Sequence, residues 1–390
     1  MINHIAIITG NFPTPGAPTV GTFVRQFARE ITRQGVSCTV ISPVPVHKTV
    51  RTNGFPAYSD ETLPGSAYLH VYCPRYVSAS AWTSLSFLGQ FSPTRFTYWQ
   101  FTAAARRALH VLKTPPEALY GHFLYFGGAA AVRLGQEFQI PAFACAGEGV
   151  LWTIDRFGDR VAEKDLKAAT GIIANNSHLG QIASERLRYP LEKMCAVPNG
   201  ADTENFRPRE KQSARARFGL PDNTFVVGSV GNFTHEKGVH RVAQAISRMR
   251  GVVGAFAGSG AFMPEADNIA FCGMVPHDDM PEFLSACDLF VLPTLVEGSS
   301  NATLEAMACG LPVIGSALPF NDDLLDNKMS IRVDPLSIGE IRAAVETLLS
   351  DNHRRLSMAA AARLKAESLD ISVRVKKLLN FMAARIAEAT

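Results

Sequence analysis

The sequence predicts an α/β protein built from two Rossmann-like domains, and three observations carry that expectation. The chain has 390 residues, more than one hydrophobic core ordinarily organises. Apolar residues make up 47% and charged residues 19% of it, the balance of a folded globular protein rather than a disordered one. Short apolar runs alternate with helical patterns throughout, as βαβ units around parallel sheets require.

Taken in order, residues 5–9 read as a first strand, 24–34 as a helix that Gly35 stops, and 38–42 as a second strand. Residues 118–120, 142–144 and 171–174 are short buried strands with helices between them. A second series opens near Phe225, with strands at 225–229, 252–257, 289–292 and 312–314. Helices at 239–249, 280–286 and 302–308 separate them. Between the two series, Pro198-Asn199-Gly200 and the polar stretch 206–212 read as a linker. The last pattern, 372–389, spaces Val373, Val375, Leu378, Leu379, Met382 and Ile386 for one buried face of a helix.

Composition removes several function classes. A net charge of +3 offers no concentrated basic face, so nucleic acid is not an expected partner. The seven cysteines are scattered with no CxxC pair, which reads as reduced thiols without a zinc site or disulfide framework. The first residues lack a basic region and a small-residue cleavage site, and no stretch reaches the roughly 20 apolar residues that span a bilayer. A cytoplasmic protein is expected, at most peripheral on a membrane surface.

In a parallel α/β sheet, ligands bind beyond the carboxyl ends of the strands, where helix N-termini offer free amides. Three segments sit between a strand and a helix. The first, 10–21, is rich in Gly and Pro and ends at Gly21, which lets backbone approach an anion without a Cβ in the way; an ordinary loop has the same punctuation. In the second, 231–238, Lys237 could neutralise a diphosphate, or be a solvated surface lysine. The third, 293–301, leads into the helix that carries Glu305. Ser299, Ser300 and Asn301 are all good N-caps, and the amides of Asn301 and Ala302 would face an anion. Glu297 and Glu305 could accept hydrogen bonds from hydroxyls of a sugar and a ribose, although acidic residues near a helix start also serve its dipole.

The run Glu297-Gly-Ser-Ser-Asn-Ala-Thr-Leu-Glu305-Ala-Met-Ala-Cys-Gly-Leu-Pro-Val-Ile314 closely resembles the signature of family-4 retaining glycosyltransferases. Val197-Pro-Asn-Gly-Ala-Asp202 resembles that family's interdomain segment, and Val230-Gly231 with Lys237-Gly238 its donor-phosphate loop. Gly21-Thr-Phe-Val resembles its N-terminal glycine loop. The resemblance covers nearly the whole chain and is strongest from about Val197 to Ile314. It implies the GT-B fold, two Rossmann-like domains facing across a deep interdomain cleft. Residues 1–205 plus 372–390 would form the N-terminal acceptor-binding domain, because family members end by crossing back. Residues 206–371 would bind the donor.

Carried over by position, Glu305 would bind ribose hydroxyls and Glu297 the donor sugar. Lys237 and amides near Ser300 and Asn301 would hold the diphosphate, Gly231, Asn232, Gly298, Ser299 and Ala302 would belong to the same donor site, and Gly21 would let the N-terminal domain close onto the phosphates. His122, in Tyr120-Gly121-His122-Phe123, resembles the histidine beside the transferred sugar; from the residues alone it reads first as a satisfied core histidine. With Glu297 and Lys237 it completes the catalytic candidates. Two positions depart from the pattern. Asn232 stands where the family commonly has Arg, with His235 a substitute cation, and Gly147-Glu148 stands where a His-Gly pair is frequent. Glu148 is then an acceptor-side carboxylate or a polar group capping a strand end.

The resemblance implies transfer of a hexose-type sugar from a nucleotide diphosphate donor, UDP-sugar favoured, to a glycan or lipid-linked acceptor with retention. No Asp-x-Asp occurs, so no metal or other cofactor is expected. A nucleotide-sugar epimerase on the same fold is the alternative; an oxidoreductase lacks its GxGxxG after the first strand. Between Thr62 and Pro116 there is no Asp or Glu, while Arg75, Arg95, Arg106, Arg107 and Lys113 interleave with aromatics including Tyr76, Trp82, Phe87, Phe91, Phe96, Tyr98, Trp99 and Phe101. Such a mixture suits an anionic membrane surface, or aromatics packed in the domain with solvated arginines.

Overall fold

The computed structural model describes residues 2–18, 20–50, 56–63, 68–79 and 92–389. Its strands are β1 His4–Thr9, β2 Ser37–Ile41, β3 Val44–Pro45, β4 Tyr58–Thr62, β5 Tyr68–Tyr72, β6 Arg75–Tyr76, β7 Ala118–His122, β8 Ala142–Ala146, β9 Gly171–Ala174 and β10 Met194–Ala196. There follow β11 Phe225–Val230, β12 Val252–Ala257, β13 Ile269–Gly273, β14 Leu289–Leu292, β15 Val313–Ser316 and β16 Ser330–Val333. The chain divides into two compact units, Met1–Val197 with Val375–Thr390, and Pro198–Arg374. Phe206 is only 1% exposed in the core of the second unit. The stretch 206–212 is therefore part of that unit and not a linker.

In the first unit eight strands lie in the order β10-β9-β8-β7-β1-β2-β5-β4. All neighbours are parallel except β4 and β5, which run antiparallel. β1, β7, β8 and β9 are buried along their whole length. This is why they read as continuous apolar runs and not as alternating strands. β4, sequence Tyr-Ser-Asp-Glu-Thr, is mostly exposed and carries no such signal. The long helix Pro93–His110 is likewise absent from the sequence reading; it starts from a Ser92 cap and buries Tyr98, Phe101, Ala105 and Leu109.

In the second unit six parallel strands lie in the order β13-β12-β11-β14-β15-β16, the doubly wound arrangement of dinucleotide-binding folds. Apolar clusters cover both faces, one centred on Phe283, Phe290 and Met307, the other on Val242, Val291 and Val345. The helices Ile338–Ser350 and Asn352–Ser368 complete it.

The last helix, Ile371–Ala389, joins the first unit from Val375 onward. Val375, Leu378 and Met382 are buried, Phe381 meets Phe143 edge-on at 6.2 Å, and Arg385 donates to the Thr170 carbonyl at 3.3 Å. Its apolar spacing thus predicted both its existence and its buried face. Among the described residues, no helix is long and apolar enough to cross a membrane.

Candidate active site

Each sheet has one point where the winding direction reverses, between β1 and β7 in the first unit and between β11 and β14 in the second. Connections leave the sheet in opposite directions there and open a crevice beyond the strand ends. The candidate residues collect at these two points.

In the second unit, β11 ends at Val230 and delivers Gly231, exposed Asn232 and Lys237. β14 ends at Leu292 and delivers the segment from Pro293 to Asn301. The Leu295 amide donates to the Glu236 carbonyl at 2.8 Å and joins the two loops. Lys237 Nζ donates to Glu297 Oε2, an ion pair only partly exposed. Ser300 caps the helix Asn301–Ala308 by accepting from the Thr303 amide at 3.2 Å. Of the three candidate caps it is the one that performs the task. The Asn199 backbone amide donates to Ser299 Oγ at 2.9 Å, and its side-chain amide to the Ser299 carbonyl at 3.0 Å and Asn301 Oδ1 at 2.9 Å. Gly298 is buried beneath them, Ala302 half-buried on the first turn.

Glu305 lies about one turn inside the helix, and its Oε1 stands 3.2 Å from His277 Nε2. That contact holds the imidazole above its ordinary pKa. His277 escaped the sequence reading, because nothing in Val275-Pro276-His277 announces a partner 28 residues on.

Arg241 was missed too. It is 5% exposed and donates to the carbonyls of Pro335 at 2.7 Å, His235 at 2.8 Å and Pro293 at 2.9 Å. One guanidinium therefore ties the loops after β11 and β14 to the segment after β16. In the sequence it is an arginine beside His240 in the first turn of the helix Val239–Ile246, which signals nothing of these partners. His235 is exposed, its ring near those of His240 and Phe262.

In the first unit the loop after β1 turns back on itself and ends at Gly21, whose φ of 73° starts the helix Thr22–Arg33. A Cβ there would stand 2.4 Å from the Asn11 carbonyl, so only glycine fits. His122 closes β7 opposite Thr9 of β1. It is 5% exposed, with the rings of Phe123 and Phe23 at 4.6 and 5.2 Å. Glu148 follows β8 and is 6% exposed; its carboxylate accepts from the amides of Leu124 and Gly147. That geometry is the strand-end cap among its two expected readings, and burial pushes its carboxyl up to about 7.

The aromatic and basic stretch divides. Trp82, Phe87 and Phe91 lie outside the described residues. Tyr98 and Phe101 are buried, whereas Trp99 is 54% exposed. Arg106 pairs with Glu137, and Arg107 donates to the Arg75 carbonyl at 2.7 Å. For Tyr98 and Phe101 packing prevails: both rings meet Phe126 edge-on, Tyr98 also meets Tyr125 and Phe157, and Phe101 also meets Tyr76.

Residues 20–205 match the family model described as Glycosyltransferase Family 4, and residues 224–351 that described as Glycosyl transferases group 1. The chain is 28% identical over 226 residues to D-inositol 3-phosphate glycosyltransferase of Stackebrandtia nassauensis, a match covering 52% of this chain and only about half, 50%, of that relative's length. It is 25% identical over 358 residues to the glycosyltransferase TuaC of Bacillus subtilis, assigned to teichuronic acid biosynthesis, covering 87% of each. The solved structure of HepE from Anabaena in complex with UDP shares the fold, with a TM-score of 0.71 at 15% identity over 98% of this chain and 100% of that one. Two Rossmann-like units in this order, matched in turn by these two models, place the chain in the GT-B, group 1 (family 4) glycosyltransferases.

Proposed function

We propose that this protein transfers a hexose-type sugar from a nucleotide diphosphate sugar to an acceptor hydroxyl, with retention of anomeric configuration and without a divalent metal. The observation that carries the reading is the cluster at the β11/β14 switch point. There Lys237 pairs with Glu297 beside the Ser300-capped helix, and Glu305 lies one turn inside it. A diphosphate competes with Glu297 for the Lys237 ammonium and takes up the helix amides at Asn301 and Ala302. The carboxylate so released accepts from a hydroxyl of the sugar, and Glu305 accepts from the ribose. Charge developing on the leaving diphosphate is met by Lys237 and the amides, which is why no metal clamp is invoked. UDP is the favoured nucleotide, supported by the HepE complex.

No carboxylate is assigned as a nucleophile, so the acceptor hydroxyl attacks from the face the diphosphate leaves, and the departing phosphate takes its proton. His122 serves the transferred sugar, and Gly21 the approach of backbone to the phosphates. The acceptor is a glycan or a lipid-linked glycan, reached from the cytoplasmic side of an anionic membrane. Exposed Trp99 and Arg95 support the membrane contact.

A thermal-shift screen against UDP-, GDP- and ADP-sugars tests the donor, because a ligand that binds only the folded state raises its stability. NMR of the product formed in excess EDTA tests the rest. Inverted product, or activity lost with the metal, overturns the corresponding part; epimerised sugar from donor alone favours the rival enzyme. Co-sedimentation with anionic vesicles should weaken with salt and with Trp99→Ser, and equal recovery on neutral vesicles argues for a soluble acceptor.

A further inference from the structure

The chain leaves β7 through an unusual turn. Directly after His122, Phe123 has φ 25°, and three residues later Phe126 has φ 60°, left-handed conformations that bulky side chains adopt at a cost. The turn is also pressed against the sheet. A Cβ on Gly127 would stand 2.2 Å from the His122 carbonyl and 2.5 Å from that of Ile8. Such a turn persists only where its surroundings hold it.

The hold comes from the segment just after β8. The Leu124 amide, buried in the turn, donates to Glu148 Oε1 at 3.1 Å. The other oxygen accepts from the Gly147 amide at 3.2 Å, and Thr153 Oγ1 approaches Oε1 at 3.5 Å. Gly147 itself lies against the Phe123 ring, where a Cβ would stand 3.1 Å from its edge. The same ring is the one packed on the His122 imidazole. One carboxyl side chain therefore satisfies the Leu124 amide of the turn, and its neighbour Gly147 lies against the ring that packs on the histidine.

We propose that Glu148 is a positioning residue: by receiving the Leu124 amide it locks the turn after β7 and so fixes the Phe123 ring and the His122 imidazole. Only the consequence for turnover rests on the function proposed above. The role is one of reach and acceptor geometry rather than charge. Burial keeps the carboxyl partly neutral near pH 7, and either form retains an acceptor oxygen for Leu124.

Two mild substitutions separate reach from charge. Glu148→Gln is neutral but of the right length, so its amide oxygen still accepts from Leu124. Glu148→Asp keeps the charge but is shorter by one carbon–carbon bond, about 1.5 Å. Hydrogen exchange at the Leu124 amide should match the unsubstituted protein in Glu148→Gln and accelerate at least tenfold in Glu148→Asp, with a shifted His122 imidazole resonance in Asp alone. UDP release from UDP-glucose should fall at least tenfold in kcat for Asp and less than threefold for Gln. UDP affinity, carried by the other unit, should change less than twofold in both. Equal Leu124 protection in both variants overturns the proposal, as does a Gln variant as impaired as Asp. If the unsubstituted protein releases UDP, GDP or ADP from no nucleotide sugar, the proposed function fails, and the exchange measurement still decides this inference.

Discussion

The two switch points share a topology and differ in how they are built. At β11/β14 the loops are held by side chains: Asn199 clamps Ser299 and Asn301, Arg241 ties three carbonyls, and the opposed charges of Lys237 and Glu297 remain partly open to solvent. At β1/β7 strained backbone and buried groups take the place of those open charges. Gly21, Phe123 and Phe126 take positive φ, and His122 is enclosed by aromatic rings. Glu148 is turned inward onto the backbone amides of Leu124 and Gly147. One sheet architecture thus carries one switch point lined by an opposed pair of charges and another lined by aromatic rings and inward-turned groups. Loop side chains, not the strand order, set which is which.

The comparison breaks most directly at Lys237. Lys237→Ala should reduce transfer at least tenfold, about 1.4 kcal/mol of transition-state stabilisation, with the fold intact by circular dichroism. Glu305→Ala should do the same with a larger share in the donor KM, because a ribose contact forms before the transition state. Kinetics near those of the unsubstituted protein in both would move the donor elsewhere.

Arg241→Met sharpens it through stability. Three carbonyls lose their donor, and each buried acceptor left unsatisfied costs about 1–3 kcal/mol. Denaturant unfolding should show a loss of about 3 kcal/mol for the second unit while hydrogen exchange in β7 and β8 stays unchanged. Ser300→Ala removes a helix cap and should cost about 1 kcal/mol, again confined to that unit.

The remaining effect belongs to the first unit. Its pH dependence follows from Glu148, whose carboxyl is raised by burial from 4.5 to about 7. Burial also raises Asp165, which accepts from the Tyr125 hydroxyl. A native pKa above the unfolded one means the folded state holds its proton more tightly. The contribution is fully present below the unfolded value and is lost as pH rises toward the folded one. The melting temperature should therefore decline between about pH 4.5 and 7, and less steeply in Glu148→Gln. Parallel curves for the two proteins would show that the buried carboxyl does not titrate in this window.

Much of this protein was legible in the chain itself. Buried parallel strands are continuous apolar runs, so β1, β7, β8, β11, β12 and β14 announce themselves locally. The last helix declares its buried face through spacing, and Glu297 and Glu305 are read together because only seven residues of one loop and helix separate them. What the tertiary structure alone decided lies across long separations. Lys237 meets Glu297 60 residues away, Asn199 reaches Ser299 across 100, and Arg241 reaches Pro335 across 94. It also decided that Glu148 faces inward, that Tyr98 and Phe101 are core, and that 206–212 belongs to a domain rather than a linker. Periodicity specifies which residues of one element share a face. Which loops become neighbours depends on strand order and register, and that order is settled only when all the elements pack at once.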